Sequence, residues 1–133
     1  MINPKAIINL NHLKHNLKIL RNAADDAELM PVIKANAYGH GMLEIANALH
    51  KEDIKTVCVA THDELMELLK SKIEIDIFHL GKISIENISS NDFNHCIFTI
   101  NSIDDVLYIH KLKINKKIRC HIKVDTGLNR MGC

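Results

Sequence analysis

The sequence lacks the features that mark several large classes of protein. It has no tryptophan, 4% aromatic residues, five glycines and two prolines, which excludes collagen-like and low-complexity structure and predicts an aliphatic core. No apolar run approaches the ~20 residues of a membrane-spanning helix, and no signal-peptide core follows Met1, so we expect a cytoplasmic protein. The 17 basic and 16 acidic residues give a net charge of +1, which argues against nucleic acid or a membrane as partner.

Ligands for a metal ion and partners for a disulfide are scattered along the chain. The four cysteines form no C-x-x-C pair, and three of them lie in or beside apolar runs, where a reduced thiol packs as a small hydrophobic group. None of the nine histidines forms an H-x₃₋₅-H pair opposite a cysteine pair. We therefore predict no metal site and no disulfide framework.

Apolar runs alternate with helical patterns along the chain. Strand-like runs lie at 30–35, 56–60, 75–80, 96–100 and 118–124. Apolar stripes with helical spacing follow four of them, the one near Ile85 and Ile88 being weak, and Thr61 and Glu64 have the spacing of a capping box. A further strand at 5–9 and a helix with an apolar stripe from Leu10 precede the series.

This alternation predicts βαβ units and a parallel sheet, and hence an α/β fold. Five parallel strands fit either an open flavodoxin-type sheet or part of an eight-stranded barrel. No helix follows the fifth strand, although a parallel strand needs cover on both faces, so the fold is expected to be incomplete. We predict a partial TIM-type (β/α) barrel over residues 11–133, preceded by a strand in residues 1–10.

The first candidate site is the segment KANAYGHG, which begins at Lys34 and includes Tyr38. Lys34 ends the first strand of the series, at the edge where βα proteins bind ligands. Strand alternation predicts that Lys34 shares a face with Val32, opposite Ile33 and Ala35. An amine among apolar side chains is poorly solvated and becomes a usable nucleophile. The alternative is a lysine that reaches solvent and a tyrosine that covers the core.

The second candidate site is the strand that ends in KVDTG-x-x-R, which contains Lys123 and Arg130. Alternation places Arg119, His121 and Lys123 on one face with Asp125. A polar face on a strand buried on both sides fits the ligand-binding end of a barrel interior. The alternative is an edge strand with one solvated face.

Together, KANAYGHG and KVDTG-x-x-R resemble the alanine racemases. The resemblance extends from Lys5 to Gly132 and includes the opening segment 8–17, which is similar to the first strand and helix of that family. The second motif departs slightly, because Leu128 and Met131 stand where the family usually has Met and Leu. These exchanges conserve volume and are expected to cost little.

The resemblance implies a pyridoxal 5′-phosphate enzyme that interconverts L- and D-alanine and supplies D-alanine for peptidoglycan. It implies that Lys34 holds the cofactor as an internal aldimine and is the base on the D-alanine face. It assigns Tyr38 to the cofactor phosphate, and Arg130 to the cofactor's phenolic oxygen and the substrate carboxylate. Lys123 matches a lysine that is often carbamylated and holds that arginine in place.

The resemblance also implies parts of the enzyme that these residues do not include. In the family, the second base is a tyrosine from the C-terminal β-domain of the other subunit in a homodimer, and residues 1–10 correspond to a strand that joins that domain. We therefore expect this chain alone to be inactive. Two alternatives stay open: a racemase of serine or lysine, and a non-catalytic PLP-binding barrel or decayed remnant. The strand at 5–9 favours a racemase, because a free-standing barrel does not need it.

Overall fold

Four parallel strands form the centre of the computed structural model, which describes residues 5–85, 87–89 and 92–133. The strands are β1 (Thr56–Val59), β2 (Asp76–His79), β3 (Cys96–Ile100) and β4 (Arg119–Ile122). They pair in chain order, so each crossover returns the chain to the neighbouring position in the sheet. All strands therefore end at the same edge, called here the carboxyl edge, which confirms the predicted α/β class.

Four α-helices accompany the sheet: α1 (Leu10–Ala24), α2 (Met42–Lys51), α3 (His62–Ser71) and α4 (Ile103–Lys111). Side chains cap three of these helices at their first turn, since Asn9, Thr61 and Ser102 each accept a backbone N–H bond there. The predicted capping box of Thr61 and Glu64 is confirmed at the start of α3. No helix in the described ranges is long and apolar enough to cross a membrane.

The core lies between one face of the sheet and the helices. Alternate strand residues reach it, including Val57 and Val59 of β1 and Phe98 of β3, all fully buried. Leu65 and Leu68 of α3 pack against them. Burying one such side chain stabilises the fold by roughly 1.5–3 kcal/mol, and the core is aliphatic apart from two phenylalanines, as the composition predicts. Cys58 lies between these two valines in β1 and is buried as well, and burial raises the pKa of its thiol to about 11.

The predicted strand at 30–35 is present only as a single bridge. Val32 bridges Cys58 on the outer side of β1, where Ile33 N–H donates to Cys58 O at 2.9 Å and Cys58 N–H donates to Pro31 O at 2.8 Å. The strand ends there because the backbone turns left-handed immediately after Lys34. The predicted alternation therefore fails at Ala35, which is exposed although Ile33 is buried.

Two other predicted elements differ from the structure. Residues 5–9 form no strand; Asn9 instead caps α1, its side chain accepting from Asn11 N–H at 2.9 Å. Residues 1–4 lie outside the described residues, so the assignment of 1–10 to another domain stays a prediction. The helix predicted near Ile85 and Ile88 is absent from 81–85 and 87–89, since Asn87 has a φ of 62° that no right-handed helix allows. Part of that prediction falls on residue 86, outside the described residues.

Candidate active site

A left-handed turn follows the bridge at the carboxyl edge. This segment, residues 34–38, is called the Lys34 turn. Ala35, Asn36 and Ala37 have φ of 51–54° and ψ of 45–50°, and Tyr38 has a φ of 54°. Each non-glycine residue in this conformation costs roughly 1–2 kcal/mol. Strain of that size persists only where surrounding contacts hold it, and it concentrates at functional sites.

Hydrogen bonds to residues that precede and follow the Lys34 turn hold its backbone in place. Asn36 Oδ1 accepts from the N–H of Met42, the first residue of α2, at 2.8 Å, and the carbonyl of Asn36 accepts from Gly41 N–H at 3.0 Å. Ala37 is buried, and its N–H donates to Ile33 O at 2.8 Å. Contacts to residues before and after the Lys34 turn therefore fix its backbone.

The two predicted residues of the first site lie at the two ends of this turn. Lys34 directly follows the strand bridge and is half-buried, so it lies at the carboxyl edge as predicted. Tyr38 is 60% exposed, which leaves its hydroxyl accessible. Both can face a ligand that binds over the edge of the sheet.

The second predicted site opens at the far end of the same edge. A cavity of about 340 Å³ is lined by Lys123 and Arg130, together with Phe78, Leu80, Thr99, His121, Ile122 and Met131. The His121 ring lies 4.4 Å from that of Phe78. A cavity with two cations above an apolar floor suits an anionic ligand that has an organic ring.

A hydrogen-bonded loop carries Arg130 back over the end of β4. In this segment, residues 125–133 (the Arg130 loop), Asp125 N–H donates to Cys133 O at 2.9 Å and Cys133 N–H donates to Lys123 O at 3.0 Å. Asp125 Oδ1 accepts from Gly127 N–H at 2.9 Å and from Asn129 N–H at 3.1 Å. These N–H bonds hold the pKa of Asp125 below its ordinary value. Asp125 thereby shapes the loop, a role that its place on a polar face did not indicate.

The polar face of β4 divides between the two edges of the sheet. Arg119 points to the amino edge, where it is 2.6 Å from Asp76 Oδ2 and donates to Asn94 O. Its hydrogen bond to Asp76 raises the pKa of Arg119. Only His121 and Lys123 continue toward the ligand-binding end. β4 itself is an exposed edge strand among the described residues, so the solvated alternative holds for Arg119.

Lys34 and Arg130 lie at opposite ends of the carboxyl edge. The bridge before Lys34 and the strand before the Arg130 loop are four strand positions apart, roughly 19 Å measured along the sheet. Lys34 and Tyr38 do not line the cavity at Arg130. A curved sheet brings such positions to face one another across its interior, where a ligand can contact both.

Glu64 connects α3 to the Lys34 turn. The spacing of Thr61 and Glu64 predicts only the capping of α3. Oε1 of Glu64 accepts from Ala35 N–H at 2.6 Å, while Oε2 accepts from Ala60 N–H at 2.9 Å and Thr61 N–H at 3.0 Å. Burial raises the pKa of Glu64, but the hydrogen bonds from Ala60, Ala35 and Thr61 together outweigh burial, so the pKa lies below its ordinary value. The capping-box spacing was the signal for this residue, and nothing local pointed to Ala35.

Residues 8–133 match the model of the alanine racemase N-terminal domain. This chain belongs to that family. It is 37% identical over 128 residues to the alanine racemase of Hamiltonella defensa, covering 96% of this chain and 35% of that protein. It is 39% identical over 130 residues to an amino-acid racemase of Enterococcus faecalis, covering 94% of this chain and 17% of that protein. The chain thus spans about a third of the length of these alanine racemases, and 17% of the length of the amino-acid racemase.

Solved alanine racemases share the fold. The structure from Oenococcus oeni superposes with a TM-score of 0.82 at 26% identity, covering 93% of this chain and 36% of that one. The structure from Bartonella henselae, which has covalently bound pyridoxal phosphate, superposes with a TM-score of 0.79 at 29% identity, covering 94% and 36%. The parallel sheet is therefore part of an alanine racemase barrel, which confirms the predicted fold.

The side chains at the carboxyl edge fit pyridoxal phosphate. An aldehyde needs an amine, which Lys34 supplies. A phosphate needs a hydrogen-bond donor, which the Tyr38 hydroxyl supplies, and a phenolic oxygen or a carboxylate needs a cation, which Arg130 supplies. The Lys34 turn also leaves open space at Gly39, where an added Cβ would meet nothing within 4 Å. Among the described residues, no group of three His, Cys, Asp or Glu side chains could hold a metal ion.

Proposed function

We propose that the protein is a pyridoxal phosphate-dependent alanine racemase in which Lys34 carries the cofactor. The observation that carries the proposal is the position of Lys34, half-buried at the carboxyl edge in a strained turn that Asn36 and Glu64 hold. Strain held by so many contacts supports a functional role for the turn. The proposal also rests on the family match over residues 8–133.

In this proposal each residue performs one step of binding or proton transfer. The amine of Lys34 would hold the cofactor until the amino group of the substrate takes its place, and the released Nζ would then accept the α-proton on the D-alanine face. Tyr38 donates its hydroxyl proton in a hydrogen bond to the cofactor phosphate. Arg130 donates to the substrate carboxylate and to the cofactor's phenolic oxygen. When bound, pyridoxal phosphate supplies the electron sink for the charge left at the α-carbon.

Lys123 lies in the same cavity as Arg130, so two cations share that site. Their charges repel one another in a partly enclosed cavity. We propose that Lys123 is carbamylated: its neutral amine adds to carbon dioxide and loses a proton, which replaces a cation by an anion that accepts hydrogen bonds from the guanidinium of Arg130. A bidentate partner fixes the plane of a guanidinium and so orients it toward the substrate.

Racemisation needs a second base on the opposite face of the substrate. The proposal assigns that base to a tyrosine of the other subunit in a homodimer, supplied by a part of the protein outside these residues. The product would be D-alanine for peptidoglycan, made in the cytoplasm. The sequence similarity to an amino-acid racemase of Enterococcus faecalis favours one further candidate function, that of a racemase of broader substrate range.

The test is racemisation by the protein expressed from its complete gene. Purified protein with pyridoxal phosphate is given L-alanine, L-serine and L-lysine separately, and the D-enantiomers are measured. We expect D-alanine to form fastest, Lys34→Ala to abolish it, and Lys34→Arg to be nearly as inactive because arginine does not release its proton. Lys51→Ala removes an exposed lysine from α2 and is the matched control.

Three results would contradict the proposal. Retained activity in Lys34→Ala would remove Lys34 from the mechanism. Faster turnover of serine or lysine would overturn the substrate. Tight cofactor binding without racemisation of any amino acid would identify a non-catalytic PLP-binding protein instead.

A further inference from the structure

Glu64 joins two segments that are far apart in the sequence. It is the third residue of α3, and its Oε2 completes the capping box with the N–H groups of Ala60 and Thr61. A capping box needs only that oxygen. The other oxygen, Oε1, accepts the N–H of Ala35, 29 residues earlier, at 2.6 Å. That second contact is not required by the helix.

The N–H of Ala35 belongs to the peptide bond that joins Ala35 to Lys34. A hydrogen bond to this group therefore restricts rotation about the last backbone bond of Lys34, and with it the direction in which the chain enters the turn. Other contacts hold neighbouring groups of the turn: Ala37 N–H donates to Ile33 O at 2.8 Å, Gly39 N–H donates to Ala35 O at 3.1 Å, and Asn36 Oδ1 accepts from Met42 N–H. Within the described residues, Glu64 is the side chain that binds the N–H between Lys34 and Ala35.

The turn needs such a contact because its backbone is strained. The residues from Ala35 to Tyr38 all have positive φ, a conformation that alanine and tyrosine disfavour. The first N–H groups of any helical turn also lack partners within the turn. An ionised carboxylate is a stronger acceptor than a neutral carbonyl, so it satisfies this N–H better than a main-chain group would.

We propose that Glu64 is a positioning residue, whose carboxylate anchors the Lys34–Ala35 peptide so that the amine of Lys34 is presented to pyridoxal phosphate. This inference rests on the proposed function of Lys34. Glu64 acts through the backbone and touches neither cofactor nor substrate. Oε2 of Glu64 meanwhile caps the start of α3, so this one side chain connects α3 to the turn that carries Lys34.

The substitution Glu64→Gln tests this proposal, because an amide has one acceptor oxygen and cannot serve both sets of N–H groups. Glu67→Gln makes the same change at an exposed position of α3. Thr61→Ala removes the capping hydroxyl and weakens α3 without touching Ala35. Glu64→Asp keeps the charge at the helix start but shortens the reach, and it serves if the glutamine variant does not fold.

Two readouts are measured on protein expressed from its complete gene. Amide hydrogen exchange reports the protection of the Ala35 N–H, and borohydride reduction at a limiting concentration of pyridoxal phosphate reports the fraction of Lys34 that carries the cofactor. We expect Glu64→Gln and Glu64→Asp to lower both by about tenfold, the effect of losing one charge-assisted hydrogen bond. Glu67→Gln should match the wild type, and Thr61→Ala should lose thermal stability while keeping both readouts.

The outcomes separate this inference from the proposed function. Labelling of Lys34 that is equal in wild type and Glu64→Gln would overturn the positioning role and leave the proposed function standing. A loss in Thr61→Ala as large as that in Glu64→Gln would show that Glu64 acts only through the stability of α3. Absence of label from Lys34 in the wild type would overturn the proposed function and this role with it.

Discussion

Replacing Gly132 by alanine tests how tightly the Arg130 loop packs against β4. Gly132 has a φ of +120°, and an added Cβ would lie 2.9 Å from both Asp125 N and Lys123 O. Those two atoms take part in the pair of hydrogen bonds that closes the loop onto Cys133. Gly127 is the matched control, with a φ of +127° and nothing within 4 Å of an added Cβ.

Comparing Gly132→Ala with Gly127→Ala separates the effect of close packing from the effect of backbone strain, which both variants share. Each alanine has a strained backbone that costs roughly 1–3 kcal/mol. Only Gly132→Ala adds overpacking, which costs another ~1–3 kcal/mol and is relieved when the loop moves away from Lys123. Since a displacement of about 1 Å at a substrate-positioning group lowers a rate by roughly 10²-fold, Arg130 should lose much of its effect.

The assay is kcat/KM for alanine racemisation, with thermal unfolding of each variant measured beside it. We expect Gly132→Ala to lower kcat/KM by roughly 10²-fold relative to Gly127→Ala, and to be the less stable of the two. Equal kcat/KM for both variants would refute the reasoning, because the backbone strain alone would then account for every effect and the close contacts around Gly132 would be irrelevant.

Three further predictions concern individual side chains. The pKa of His79 lies below its ordinary value of 6.5, because burial and, next, the nearby His62 lower it by more than Glu64 raises it. Below pH 6.5 the unfolded chain therefore binds more protons than the folded chain, so the free energy of unfolding should fall as the pH drops. The free energy of unfolding, measured in urea at about pH 7.5 and about pH 5, should differ less between the two pH values in His79→Leu than in the wild type, and an equal difference would contradict this prediction. Arg130→Ala should lower kcat/KM by roughly 10²-fold, and wild-type kinetics would remove its substrate role. Lys123→Ala should cost less than Arg130→Ala and Lys123→Glu should recover part of the loss, whereas equal activity of the two Lys123 variants would contradict the carbamate.

The sheet could be predicted from the sequence because its signals are local and repeated. Runs such as Val57–Val59 and Cys96–Phe98 are continuous and apolar, as is typical of strands covered on both faces. The capping box at Thr61 was equally visible, since it needs only two residues three positions apart. Where the pattern was weak, it failed: the apolar spacing of Ile85 and Ile88 is interrupted by Asn87 in a left-handed conformation.

The location of the site along the chain could be predicted from the sequence, but the backbone conformation around Lys34 could not. Lys34 was expected on a strand, because valine and isoleucine before it favour one, and propensity gives no hint that Ala35 and Ala37 adopt a left-handed turn. The contact that holds the turn comes from Glu64, 29 residues away, and depends on the fold being formed. Long-range contacts of this kind are not encoded in any local pattern, so tertiary structure had to supply them.

The most direct test of the central claim is to find which lysine carries the cofactor. Protein expressed from its complete gene is incubated with pyridoxal phosphate, reduced with borohydride, digested and mapped by mass spectrometry. We expect a pyridoxyl group on Lys34, present in Lys51→Ala and lost in Lys34→Ala. A pyridoxyl group on a different lysine in the wild-type protein, with Lys34 unmodified, would contradict it.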